Sequence, residues 1–286
     1  MHTDERLPQE PPRLRYQPDQ VGVQDIINWY RNKQLNLEPG FQRQSVWQRR
    51  DRTKLIESIL RGYPLPSVFL RRHPTETGEV GYDVIDGKQR IETILMYTGV
   101  MRGKRFAIRH QLSDEEPPQW LDYRGLCRRR LQHLLTGYKL QAIEVEGELN
   151  EIISLFVLIN STGKALTGAE KRHAKYYMSS FLKKAAQVAR RYEPYFRKAQ
   201  ILSAGQISRM KHLELVCELI VSGAQEGIIH KKAALDHAMS RGGMTTREAE
   251  KGVWATVACL NRLRKMFPNI HQTRFRKVSD FYSLAV

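Results

Sequence analysis

Five consecutive residues, Asp86-Gly87-Lys88-Gln89-Arg90, put a carboxylate, a glycine, two cations and an amide side by side. Tyr82, Val84 and Ile85 before them read as the end of a buried strand, and Ile91, Ile94, Leu95 and Thr98 after them follow the spacing of a helix's apolar stripe. A strand, a sharp turn and a helix start gather free backbone N–H groups and the positive end of the helix dipole. Such a corner is a seat for a phosphate or carboxylate, to which Lys88 and Arg90 add full charges. The same residues also read structurally: Asp86 as N-cap and Gln89 three residues later compose a capping box. Arg90 falls next to Ile94 at the edge of the core-facing side, where a guanidinium calls for an anionic partner, from a ligand phosphate or from a protein carboxylate.

Several elements must hold that corner. Residues 1–18 hold several prolines among charged side chains, MHTDERLPQEPPRLR at the start, and read as a flexible arm with no signal peptide. A first helix is expected from Asp25 through Trp29-Tyr30 into Leu35, ended by Pro39-Gly40. Phe41 to Trp47 follows as an extended segment with Arg43 between its aromatics. Asp51 opens an amphipathic helix with Leu55, Ile56, Ile59 and Leu60 on one side, stopped by Gly62, Pro64 and Pro66. Ser67 to Leu70 is a short strand. The polar stretch His73 to Gly81 turns the chain back, so that the strand ending at Ile85 pairs with it as a hairpin.

These segments together resemble a known family. Phe41-Gln42-Arg43 with Trp47, Leu55-Ile56-Glu57-Ser58-Ile59-Leu60 with Gly62-Tyr63-Pro64-Leu65-Pro66, Ile85-Asp86-Gly87-Lys88-Gln89-Arg90, and Phe156-Val157-Leu158-Ile159-Asn160-Ser161-Thr162-Gly163 with Leu166 occur in the order found in the N-terminal domain of GmrSD-type restriction enzymes. The resemblance runs from about Val21 to Leu166. It implies an α/β (α+β) fold similar to the ParB and sulfiredoxin domains, in which the corner binds a nucleoside triphosphate; related proteins hydrolyse the nucleotide and sense foreign DNA in bacterial defence. Carried over by residue, Asp86, Gly87, Gln89 and Arg90 lie at the implied nucleotide site, with Arg43 and Asn160 flanking it. Asp86, Gln89 and Arg90 are the catalytic candidates. The family motif reads DGQQR, and Lys88 replaces its first glutamine with a cation: phosphate binding tolerates that change, whereas water positioning by a neutral amide is not carried over. Asp86 is also placed to meet a magnesium ion, which prefers oxygen ligands.

Beyond the corner, strands are expected at Phe106-Ala107-Ile108 and from Tyr138 to Val145, with a surface loop from Ser113 to Pro118 and a helix turn around Arg128-Arg129-Arg130. Asn150 opens a helix whose run from Ile152 to Ile159 is apolar enough to be buried on most sides. Asn160 to Gly163 then either cap that helix or bond a ribose or phosphate. Thr167-Gly168-Ala169-Glu170 is a capping box and opens a second region, which places the domains at 19–166 and 167–286. The second region reads as all-helical: Ala169 to about Tyr192, Gln206 to Ser222, His230 to Ser240, and Thr246 to Phe267 behind a Thr245/Glu248 box. Ser279-Asp280 looks like one more helix opening, with an element cut short behind it.

Charge sets the class of partner. The 286 residues carry 47 Lys and Arg against 30 Asp and Glu, a net +17. A surplus of that size favours a polyanion, with DNA the expected one, and basic pairs recur through the helical region. Cys127, Cys217 and Cys259 form no Cys-x-x-Cys pair and fit a reducing cytoplasm; the nine histidines show no metal-ligand spacing, so no protein metal site is expected. No apolar run reaches membrane-spanning length. No His-Asn-His cluster is present, and Pro268-Asn269-Ile270-His271 does not supply one, so DNA cutting is expected to need a separate nuclease domain or subunit; an oligomer is compatible with all of this. The expectation is a nucleotide-binding, triphosphate-hydrolysing module of a DNA-targeting system. Its alternative is a non-enzymatic DNA- or partner-binding module in which the corner is structural.

Overall fold

The computed structural model describes residues 14–40, 45, 47–103, 105–111, 117–160 and 166–286. Arg43, Ser161 to Gly163 and most of the Ser113–Pro118 stretch lie outside them. The chain divides into two compact units, one of Met1–Pro39 with Trp47–Ile159, the other of Gly40–Val46 with Asn160–Val286.

The first unit runs β1 (Leu14–Gly22), α1 (Val23–Arg31), β2 (Leu35–Asn36), α2 (Arg49–Leu60), β3 (Val68–Pro74), β4 (Val80–Asp86), α3 (Lys88–Tyr97), β5 (Ile108–His110), β6 (Gln119–Leu121), α4 (Tyr123–Arg128), α5 (His133–Thr136), β7 (Lys139–Gly147) and α6 (Leu149–Ile159). Five strands form a mixed sheet in the order β1-β7-β3-β4-β2, and β5 pairs with β6 separately. β1 is antiparallel to β7 from Leu14 opposite Gly147 to Gly22 opposite Lys139. The strand therefore begins inside the stretch expected as an arm up to Pro18. Arg15 to Gln20 are all exposed, which is why they carry no hydrophobic signal, and an edge strand tolerates Pro18.

α1 also ends sooner than expected. Lys33 is left-handed at φ 59°, turning the chain so that Gln34 N donates to Trp29 O at 2.8 Å, and Leu35 enters β2 beside Tyr82. α2 begins at Arg49 behind Gln48, so Asp51 stands in its first turn and accepts from Gln48 N at 3.0 Å. Its buried side is Leu55, Ile56, Ile59 and Leu60 as the pattern requires. Gly62, at φ 69°, closes the helix, with Tyr63 N donating to Ser58 O at 2.9 Å. Val23, Ile26, Ile56, Ile59, Val84, Ile91, Ile94 and Leu95 are joined in one core. α6 packs against β4 and β7. It is buried along Ile152, Ile153 and Phe156 only, and Leu158 is 66% exposed, so the expectation of burial on most sides does not hold.

The second unit contains α7 (Gly168–Lys175), α8 (Ser180–Lys198), α9 (Ala204–Ser208), α10 (Lys211–Gln225), α11 (Lys231–Met239), α12 (Thr246–Met266), 3₁₀ turns at Ile270–Gln272 and Arg274–Arg276, and α13 (Val278–Ala285), with no strand among its described residues. The α/β architecture followed by helices is the one expected. The capping boxes are formed: Thr167 N donates to Glu170 Oε2 at 2.6 Å, and Thr245 N to Glu248 Oε2 at 2.8 Å. Two expected helices are each split. Ser179 N bonds Tyr176 O at 2.8 Å where α7 gives way to α8, and Met210 at φ 62° separates α9 from α10. α8 also continues past Tyr192, through Pro194, to Lys198.

Candidate functional site

β4, one turn residue and α3 build the corner. Phe69 stands opposite Asp86 and Leu70 opposite Val84, so the β3–β4 register slips by one residue just before the turn. A bulge of this kind re-aims the side chain that follows it, here Asp86. Gly87 is then left-handed at φ 92° and is itself the N-cap of α3. Only glycine fits: a Cβ there would stand 2.5 Å from Val68 Cγ1. Because the cap lies at Gly87, Asp86 falls outside the helix and Gln89 at its second position, so the expected Asp86/Gln89 capping box is not formed. Glycine offers no side chain to cap the first turn.

Each side chain of the motif takes a different role. Arg90, with a side chain 15% exposed, donates through Nη2 to Asp86 Oδ2 at 2.9 Å and to Ser67 O at 3.1 Å. The anionic partner expected for this guanidinium is thus present within the chain, one helical turn back. Arg90 Nε, also buried, has no hydrogen-bond partner among the described residues. The Asp86 carboxylate keeps 31% exposure. Lys88 is buried, with its Nζ 3.3 Å from Glu38 Oε1 and 3.7 Å from Glu92 Oε1. Gln89 Oε1 accepts from Trp47 N at 2.7 Å, which ties the segment entering α2 to the first turn of α3. Counted formally, Asp86, Glu38 and Glu92 outweigh Lys88 and Arg90 by one charge.

Asp86, Gly87, Lys88, Gln89 and Arg90 are therefore brought together by one turn. Asn160 directly follows α6 and begins the last stretch of the second unit. Glu38 and Glu92 were missed by reading the motif alone. The signal for Glu92 was its i,i+4 spacing from Lys88; Glu38 is distant in sequence and gave none. A second polar group, also unforeseen, sits farther back on β4, where Asp83 accepts from Asn36 Nδ2 at 2.7 Å and Arg71 Nη1 at 3.3 Å.

Among the described residues, the corner suits a phosphate in two respects: a helix start that no side chain caps and a buried guanidinium nitrogen without an acceptor. The family model for the GmrSD restriction endonuclease N-terminal domain matches residues 23–177, more than half of the chain. The chain belongs to the GmrSD N-terminal domain family. Membership indicates a restriction-related, phage-defence DNA-targeting system, and the matched span covers α1 to α7, with the corner near its middle. Comparison with curated proteins found no significant match, and comparison with solved structures found none. Among the described residues, no group of three or more His, Cys, Asp or Glu could hold a metal ion, and no helix is long and apolar enough to cross a membrane.

Proposed function

We propose that the Asp86–Arg90 corner seats the phosphates of a nucleoside triphosphate, and that binding or turnover of that nucleotide controls action on DNA. The observation that carries this reading is the buried Arg90 Nε, left without an acceptor among the described residues at the start of a helix whose N-cap is a glycine. Backbone N–H groups of the first turn would take phosphate oxygens, with Arg90 adding a charged donor. The formal excess of one negative charge at the corner favours a nucleotide that arrives with magnesium, and the half-exposed Asp86 carboxylate is the oxygen ligand nearest the turn. Asp86, Gln89 and Arg90 remain the catalytic candidates. In this reading the protein works in the cytoplasm, and DNA is cut by a separate nuclease domain or subunit.

A second reading rests on the bonds that Arg90 already makes. Its Nη2 is engaged by Asp86 and by Ser67 O, as in a clasp that fastens β3 to α3 and needs no ligand. Titration with fluorescent ATP and GTP, followed by phosphate-release measurements with and without duplex DNA and magnesium, separates the two. Saturable triphosphate binding that Arg90→Ala removes while the circular dichroism spectrum is unchanged is the expected result. Absence of binding for both bases would leave only the clasp.

A further inference from the structure

We infer that duplex DNA docks on one end of the helical unit, where the C-termini of α8 and α12 and the turn at Arg274–Arg276 form a cationic platform. This rests on the DNA-targeting reading above and locates the contact. Residues 160–286 hold 23 Lys and Arg against 9 Asp and Glu, a surplus of +14, which leaves +3 for residues 1–159. The positive charge is therefore concentrated in the helices and not in the α/β unit.

Within the helical unit, side-chain contacts fix which ends meet. Lys184 pairs with Glu250 near the starts of α8 and α12, at 2.8 Å, and Tyr192 Oη donates to Asn261 Oδ1 near their ends, at 2.9 Å. The two helices are parallel, and their C-termini lie at the same end. The chain after α12 folds back onto that end: the Phe267 and Phe275 rings are 6.3 Å apart, and Phe281 lies 6.0 Å from Phe196 and 6.4 Å from Tyr195 on α8. Lys198, Arg264, Lys265, Arg276 and Lys277 are brought to one region by these contacts. All five are exposed, and among the described residues none has a carboxylate within ion-pair distance.

Helix-dipole stabilisation accounts for part of this set only. Lys198, Arg264 and Lys265 sit in or beside last turns, where cations complement the dipole. Lys277 is the N-cap of α13, where the dipole opposes a cation, and Arg276 precedes it. Five exposed cations kept together against their mutual repulsion call for a polyanion, and a duplex presents charge densely enough to meet them all.

The test is fluorescence anisotropy on the full chain with a labelled 20-base-pair duplex across a salt series. Wild type is compared with the variant Arg264→Gln/Lys265→Gln/Arg276→Gln/Lys277→Gln. The control variant, Lys183→Gln/Lys251→Gln, changes exposed cations about 20 Å away, at the starts of the same two helices. Removing four phosphate contacts should weaken binding about 10-fold or more near 100 mM salt and lower the slope of log affinity against log salt by roughly 0.9 per contact. The control should change little. Equal loss in both variants would mean that charge acts diffusely and would overturn the platform, as would an unchanged quadruple variant. A wild-type chain that binds no duplex would remove the DNA reading itself. Tighter binding of an RNA hairpin than of the duplex would reassign the surface to RNA.

Discussion

Two residues decide what the corner is. Gly87 sits at φ 92° with no room for a Cβ beside Val68, so Gly87→Ala meets both a strained backbone and a clash. A loss of about 3 kcal/mol in urea unfolding is expected, together with loss of nucleotide binding, because α3 would start elsewhere. Arg90→Ala leaves Asp86 and the Ser67 carbonyl without their donor and should cost about 2 kcal/mol by the same measurement. Arg90→Lys keeps a charge but loses the fork; if the corner holds triphosphate, fluorescent-nucleotide affinity should drop about 10-fold while most of the stability returns. A lysine variant with unaltered nucleotide binding would show that the guanidinium serves the fold alone. The sequence made the need for an anion beside Arg90 readable, since the helical wheel puts the residue at the core's edge. It could not say which anion, because a carboxylate at i−4 and a ligand phosphate satisfy the same wheel. Asp86 and Gln89 misled for a related reason: their spacing is that of a capping box, but the left-handed glycine moves the cap by one position.

At the level of elements, periodicity and caps were legible where side chains carry the instruction. α2 buries the four residues its pattern names, and the Thr167/Glu170 and Thr245/Glu248 boxes form with the expected bonds. What could not be read was held in backbone turns made by unremarkable residues. Lys33 ends α1, and Met210 divides α9 from α10, both long side chains held at positive φ. β1 escaped notice because an edge strand with exposed side chains has no apolar face to display. The α10–α12 contact is a further case. Gly252 lies against the α10 backbone, and a Cβ there would collide with the Ile220 carbonyl oxygen. In sequence this glycine is merely a poor helix former. Gly252→Ala should therefore destabilise the helical unit by about 3 kcal/mol despite its higher helix propensity, read as a lowered midpoint in calorimetry; a gain in stability would mean that the two helices separate without cost.

Across the whole molecule, burial and net charge make stability depend on pH, and each contribution has its own sign. His110 in the first unit and His212 in the second are both held below the ordinary value near 6.5, in each case chiefly by burial. Nδ1 of each is buried without a hydrogen-bond partner among the described residues. A histidine with a depressed folded pKa contributes stability that is complete above its unfolded pKa and is lost as pH falls through the folded value, because the unfolded chain takes up the proton first. Glu218 has the opposite tendency: burial, partly offset by Lys231, raises its carboxyl above 4.5, so its contribution is present below that pH and is lost as pH rises through the folded value. As pH falls the two effects oppose each other, and the histidine loss sets in around the ordinary imidazole value, inside the range from pH 7.5 to 5.5. Proton uptake as pH falls adds to a chain already at +17, and self-repulsion works in the same direction. The thermal midpoint should consequently fall between pH 7.5 and 5.5 in low salt, and less so in 0.5 M salt, where repulsion is screened. His110→Gln and His212→Gln should each flatten the fall that remains at high salt, since glutamine cannot take up the proton. If both variants keep the wild-type slope, the acid sensitivity belongs to net charge alone, and burial of the two imidazoles contributes nothing to it.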